Sequence, residues 1–97
     1  MMRRSYEITP RDGRSGGGWN LTLFEDEQPA GGGAFPLPQE EASVGITWWN
    51  SMTEEPRRHW LEIAASAAPA AARHAFRLVE AYREAQAEAD AWMNADA

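Results

Sequence analysis

The chain has 97 residues, a formal net charge of −6, nine arginines, no lysine and no cysteine. A chain of this length supports one small hydrophobic core, and the lack of cysteine excludes a disulfide framework, an iron–sulfur cluster and a cysteine nucleophile. No run of about 18 apolar residues is present, so the sequence predicts no membrane span. The first residues lack the apolar stretch of a secretory signal, and we therefore expect a cytoplasmic protein.

Composition changes near residues 36–41. Seven of the eight glycines precede position 34, whereas only two of the 18 alanines precede Ala42. Glycine favours turns and alanine favours helix. The sequence therefore predicts one α+β domain over 1–97, with a β-rich half at 1–36 and a helical half at 40–97.

Three short strands are predicted between about residues 5 and 36. Residues 6–9 and, more clearly, residues 19–24 alternate apolar and polar side chains, as a half-buried strand does. A polar turn at 25–28 separates the second strand from a third at 29–35. Short connections favour antiparallel neighbours, so we expect a three-stranded antiparallel sheet.

The third strand contains Gly31-Gly32-Gly33, which is poor strand material because glycine has no side chain to pack. Two alternatives stay open: an aromatic ring covers the glycines, with Trp19 as the first candidate, or they leave a bare groove that a partner chain can approach. Neither this triplet nor the one at 16–18 leads into a helix, which excludes a phosphate-binding loop.

Helices are predicted at about 40–51, 54–66 and 70–93. The first is ambiguous, because its β-branched residues also alternate as in a strand. The second has Thr53 as an N-cap and acidic residues in its first turn. We expect the sheet to pack against these helices, with a core of large side chains from both halves: Trp19, Leu21, Leu23, Phe35, Trp48, Trp60, Leu61, Phe76 and Leu78.

The third helix carries a seam of residues spaced alternately by four and three, as in a heptad repeat: Ala71, Ala75, Leu78, Tyr82, Ala85, Ala89 and Trp92. At 1.5 Å per residue the helix would be about 36 Å long, which is more than a small domain usually needs. The seam either packs against the helix at 54–66 or forms a homodimer with a second copy.

Acidic residues follow one another along the same helix at Glu80, Glu84 and Glu88. The ordinary interpretation of such a row of glutamates is a helix face that is exposed to solvent. The functional hypothesis is a negative surface that binds a basic protein partner, such as a nucleic-acid-binding host protein, by imitating a row of phosphates. Trp49 and Trp92 are candidate anchors for that contact, because tryptophan is enriched where interfaces are strongest.

Direct nucleic-acid binding is the alternative hypothesis. Arg3, Arg4, Arg57 and Arg58 would contact phosphates and exposed tryptophans would stack on bases. The first 39 residues nevertheless carry four arginines against five acids, which is unlike a basic track. We therefore prefer the protein partner.

The sequence contains few side chains that could serve as catalytic groups. His59 and His74 are the only histidines, they lie on separate predicted helices, and no metal-ligand motif or nucleophile elbow accompanies them. We expect no metal, no cofactor and no enzymatic activity.

Two stretches of the chain resemble a known group of proteins. The first stretch runs from the glycine triplet at 16–18 through Trp19-x-Leu21-x-Leu23-x-Glu25 to the glycine triplet at 31–33. The second stretch is Trp48-Trp49-Asn50-Ser51-Met52-Thr53, followed by Arg57-Arg58-x-Trp60-Leu61. They look like short uncharacterised accessory proteins of conjugative plasmids and integrative elements in high-GC proteobacteria. The resemblance implies an accessory role in a mobile genetic element, in DNA transfer, maintenance or evasion of host defence, and it brings no catalytic residues. An acidic anti-defence protein that occupies a nucleic-acid-binding surface is the sharpest form of this hypothesis.

Overall fold

A computed structural model describes residues 2–95 and shows three strands followed by three α-helices, with a short 3-10 helix at Gly13–Ser15 between the first two strands. This confirms the predicted α+β class. Each predicted boundary lies within two residues of the observed one. The segment at 40–51, for which the sequence also allowed a strand, is helical. The elements are β1 (Arg4–Pro10), β2 (Trp19–Glu25), β3 (Gln28–Phe35), α1 (Ala42–Ser51), α2 (Glu54–Ala64) and α3 (Pro69–Asn94).

The sheet has the strand order β1-β2-β3, and both pairs are antiparallel. The register places Leu21 of β2 opposite Ile8 of β1 and Gly33 of β3. The alternation of apolar and polar residues in β2 favours this register, because a shift by one residue would turn its apolar side chains to the other face of the sheet. Asp26 and Glu27 connect β2 to β3 with φ angles of 51° and 68°. Two consecutive positive φ angles are typical of the tight type I′ hairpin turn.

Glycine is required at Gly18 and Gly32, where a β-carbon would collide with the carbonyl oxygens of Phe35 and Leu21 respectively. The glycine triplet of β3 is exposed. At Gly33 the atom nearest to a β-carbon would be Phe35 Cε2 at 3.9 Å, so the ring beside the triplet is Phe35. Trp19, the predicted cover, instead meets the ring of Tyr82 edge-on, with centroids 5.1 Å apart.

The chain divides into two compact units. We call them the sheet unit, which comprises the chain up to Leu37 and again from Glu80, and the helical unit, Pro38–Val79. Helix α3 contributes residues to both. A single domain over 1–97 stays a prediction. No helix in the described part of the chain is long and apolar enough to cross a membrane.

In the sheet unit, the buried side chains are those of three alanines of α3 and of one strand residue. Ala85 and Ala89 are 0% exposed, and Ala81 and Leu21 are nearly so. Gln86 Nε2 donates to the hydroxyl of Tyr6 at 2.7 Å. The C-terminal part of the predicted seam is therefore filled within this unit, so a homodimer through this helix stays a prediction that would have to use other residues.

In the helical unit, Ala72 and Ala75 are buried. The ring of Phe76 lies between those of Trp48 and Trp60, with centroids 5.0 and 5.1 Å away. These rings are only half-buried.

The predicted core is thus partly wrong. Of its nine large side chains, Leu21 alone is buried, and the others are half-buried. The buried residues of α3 are instead alanines, whose methyl groups are small enough to be covered completely, whereas the larger side chains stay partly exposed.

Helix α2 begins and ends with small departures from the expected capping. Thr53 is at the N-cap position, but its hydroxyl makes no capping hydrogen bond. At the other end the N–H of Ala65 donates to Glu62 O at 3.1 Å and the N–H of Ser66 donates to Leu61 O at 3.2 Å. This is the Schellman pattern, in which glycine usually takes the left-handed position that Ala65 occupies here with φ 51°.

Candidate functional site

Trp49, a predicted partner anchor, lies against an arginine of its own unit. It is two residues before the end of α1. Arg57 lies over its indole ring, with Cζ 5.1 Å from the centroid, and Arg57 Nε donates to Trp49 O at 3.0 Å. A cation at a helix C-terminus satisfies a carbonyl that the helix leaves free and interacts favourably with the helix dipole. Arg57 therefore caps α1.

Trp92 repeats this arrangement in the sheet unit. It is two residues before the end of α3. Arg4 lies over its ring at 4.7 Å and Arg4 Nη1 donates to Trp92 O at 3.2 Å. The indole Nε1 of Trp92 donates to Phe24 O at 3.4 Å. We call the two pairs, Arg57–Trp49 and Arg4–Trp92, the arginine–tryptophan caps.

In each predicted phosphate-binding pair of arginines, one residue belongs to an arginine–tryptophan cap and the other does not. Arg4 and Arg57 donate to backbone carbonyls and cover indole rings, whereas Arg3 and Arg58 are exposed. Arg58 Nη2 lies 3.3 Å from Glu54 Oε1, one helical turn away. Both tryptophans are half-buried, so neither presents the free indole face that base stacking needs.

The acidic row on α3 is exposed at all three of its positions, Glu80, Glu84 and Glu88. Like charges at this spacing destabilise a helix slightly, and solvent screens them at the surface. The row lies in the sheet unit, whereas Trp49 lies in the helical unit.

Sequence reasoning missed the most unusual surface, which is helix α1. Of the three α-helices in residues 2–95, α1 alone contains no charged residue. None of its residues is buried, and Val44 and Ile46 are 46% and 60% exposed. Its polar residues are Ser43, Thr47, Asn50 and Ser51, so α1 meets solvent with apolar and uncharged polar side chains only. The lack of charge across 42–52 was the available signal.

An open groove of about 630 Å³ runs between α1 and the start of α3 within the helical unit. Most of its lining is apolar, and Ile46 and Trp49 are its largest apolar residues. Charged and titratable groups come from both sides, with two glutamates directly before α1 and Arg73, His74 and Arg77 on α3. The lining residues are Glu40, Glu41, Ala42, Gly45, Ile46, Trp49, Pro69, Ala70, Arg73, His74 and Arg77.

The charges at the groove are largely matched with one another. Arg73 holds Glu40 with two hydrogen bonds, from Nε to Oε1 at 2.9 Å and from Nη2 to Oε2 at 2.8 Å. Arg77 Nε lies 3.5 Å from the same carboxylate, and its Nη2 donates to Pro38 O. The hydrogen bonds from Arg73, and then the positive charges of both arginines, hold the pKa of the Glu40 carboxyl below its ordinary value of 4.5, although partial desolvation opposes them.

Gly45 allows Arg73 to reach this position. A β-carbon at Gly45 would lie 3.3 Å from Arg73 Cγ, so the stem of Arg73 passes directly over the glycine. Its guanidinium lies 5.3 Å from the centroids of both Trp48 and Phe76. Arg73 therefore contacts α1 at both Gly45 and Trp48.

The two histidines do not form a shared site. His59 is exposed and meets the ring of Trp60 edge-on at 5.1 Å, and His74 is exposed at the groove. Among residues 2–95, no group of three or more acidic or histidine side chains is arranged to hold a metal ion. The predictions of no metal, no cofactor and no catalysis stay predictions.

Comparisons of the chain with protein-family models, with curated proteins and with solved structures gave no match.

Proposed function

We propose that the chain is a non-catalytic protein-interaction module, and that α1 with its groove is the contact surface. The observation that carries this proposal is an uncharged helix on which Ile46, 60% exposed, lines a groove whose surface is mostly apolar. Exposed apolar surface that adjoins a cleft is typical of binding sites, because covering it releases water at little electrostatic cost.

The acidic row has a separate part in the proposal. Residues 80–97 carry five acids and one arginine, and such a local excess attracts a basic partner over a distance and raises the rate of encounter. Exposed charges contribute less to the affinity than to that rate, so the apolar surface at α1 supplies the contact itself. A basic host protein that binds nucleic acid fits this division of roles.

The biological setting rests on the resemblance alone. It implies a mobile genetic element and, for an acidic protein, interference with a host defence protein in the cytoplasm. The nucleic-acid alternative receives less support, because Arg4 and Arg57 already cap helices and Trp49 and Trp92 lie beneath them.

Site-specific photo-crosslinking in living cells tests the proposed surface. A benzophenone side chain replaces Ile46 in one variant and Ile63, an exposed isoleucine of α2, in a matched control. We expect a discrete crosslinked protein from position 46 and none from position 63. Equal crosslinking at both positions, or at neither, contradicts the proposal.

A further inference from the structure

We infer that helix α1 is a detachable element, which opens from the helical unit on its own while α3 stays folded. The ion pairs of Glu40 with Arg73 and Arg77, which we call the Glu40 clasp, set how often it opens. The groove lies between α1 and α3, so it exists only while α1 is closed. The regulatory meaning of this inference rests on the proposed function, because opening α1 withdraws the proposed contact surface.

Helix α1 has little stability of its own. It has ten residues, and isolated helices shorter than about 12–15 residues are marginal in water. Residues 44–47 combine three β-branched side chains with a glycine, and both kinds of residue lower helix propensity. Glu41 at the N-cap position makes no side-chain capping hydrogen bond. The helix therefore depends on its contacts with α2 and α3.

Those contacts lie near the surface rather than in a core. No residue of α1 is buried, whereas Ala72 of α3 is 0% exposed. Trp48, which is half-buried, meets the ring of Phe76 of α3, and Arg57 of α2 donates to Trp49 O. A segment with few buried apolar contacts opens at a lower free energy than the core of the same protein. In this unit that segment is α1.

The Glu40 clasp holds the chain just before α1 against α3. Arg73 Nε and Nη2 donate to the two carboxylate oxygens of Glu40 at 2.9 and 2.8 Å, and Arg77 Nε lies 3.5 Å from the same carboxylate. The three side chains are 17–21% exposed, so solvent screens them less than it screens ion pairs at an open surface. The stem of Arg73 also passes over Gly45. Opening α1 breaks these contacts together.

The clasp therefore controls how many chains present the groove. The apparent affinity of a partner that needs the closed helix falls in proportion to the closed fraction. Weakening the clasp lowers that fraction without changing Ile46 or the rest of the proposed contact surface.

Hydrogen exchange of the purified chain, followed by NMR, tests the inference. Relative to their intrinsic rates, we expect the amides of residues 46–51 to exchange about tenfold or more faster than those around Ala72. Low concentrations of urea should change the rates of α1 little, because a local opening exposes little surface. This comparison is made within the wild-type chain and does not depend on the folding of any variant.

Glu40→Gln tests the clasp, and Glu41→Gln is its matched control, since it removes the same charge from the exposed neighbouring position. We expect Glu40→Gln to speed the exchange of α1 about fivefold or more, and Glu41→Gln to change it by less than about twofold. Circular dichroism shows whether each variant is folded.

Equal protection of α1 and of the amides around Ala72, with the same dependence on urea, overturns the inference, because α1 would then open only with the whole unit. Equal effects of Glu40→Gln and Glu41→Gln overturn the assignment of the clasp. Exchange in the purified chain involves no partner. If α1 opens alone but position 46 crosslinks to no protein, the proposed contact surface fails while this inference stands, and the reverse result separates them equally well.

Discussion

Arg57 lies over the indole of Trp49 and donates to the carbonyl oxygen of the same residue. Arg4 makes both contacts with Trp92. In each case the backbone N–H three residues later donates to the same tryptophan carbonyl, from Met52 at 3.2 Å and from Ala95 at 3.4 Å. One arginine thus completes the end of a helix and also covers a ring that would otherwise be exposed.

Replacement of Arg57 by alanine should destabilise the chain by about 1–2 kcal/mol, because it removes a cation–π contact and a charged hydrogen bond together. Arg58→Ala is the matched control, since Arg58 is 64% exposed and makes only a surface ion pair with Glu54. Its effect should stay within about 0.5 kcal/mol. Urea unfolding measures both, and equal losses of stability would remove the distinction between the two arginines.

The nucleic-acid alternative is best tested with the arginines that do not cap helices. We expect no gel shift of single- or double-stranded DNA by the wild-type chain at low salt. If a shift appears, weakens with salt and is lost in Arg3→Ala/Arg58→Ala, the alternative is correct. Variants at Arg4 or Arg57 cannot serve here, because a loss of binding could reflect a loss of folding.

Ala65→Gly should stabilise the chain by about 1 kcal/mol. Ala65 is in the left-handed region at φ 51°, where a β-carbon costs about 1–2 kcal/mol and glycine costs nothing sterically. Ala64→Gly, one residue earlier in regular helix, should have the opposite sign and destabilise by about 1 kcal/mol. Thermal unfolding of the two variants compares them directly, and a loss of stability in Ala65→Gly would contradict the assigned cap.

The ion pairs of Glu40 should make stability depend on pH in the acidic range. The pKa of the Glu40 carboxyl is lowered in the folded state, first by the hydrogen bonds from Arg73. A lowered pKa stabilises the fold above the unfolded pKa, and this stabilisation is lost as the pH falls through the folded pKa.

We therefore expect Glu40→Gln to be less stable than wild type at pH 7, with a difference that shrinks below the ordinary pKa of 4.5. Denaturant unfolding over pH 3 to pH 7 measures it. Glu41→Gln removes the same charge from the neighbouring exposed position and serves as the control. A difference for Glu40→Gln that is constant with pH would show that the ion pairs do not contribute.

The elements of this fold could be predicted because local signals mark them. Strict alternation defines β2, and acidic residues with Pro56 define the start of α2. Helix α1 was ambiguous, since Val44, Ile46 and Thr47 are β-branched and their preference for strand competes with helix formation.

The candidate site could not be predicted in the same way. Arg4 is 88 positions from Trp92, and no local pattern indicates which arginine of a pair will reach a helix end. The predicted core overestimated the large side chains for a related reason, because the depth of a ring depends on tertiary packing that no local pattern records. Which face of α1 stays uncovered is likewise a property of the packed helices.

A photo-crosslinking side chain at position 46, compared with one at position 84, tests most directly whether α1 or the acidic row of α3 is the contact surface of this chain. Both positions are exposed, and we expect a discrete crosslinked protein from position 46 and less or none from position 84. Crosslinking from position 84 alone would contradict the proposed contact surface.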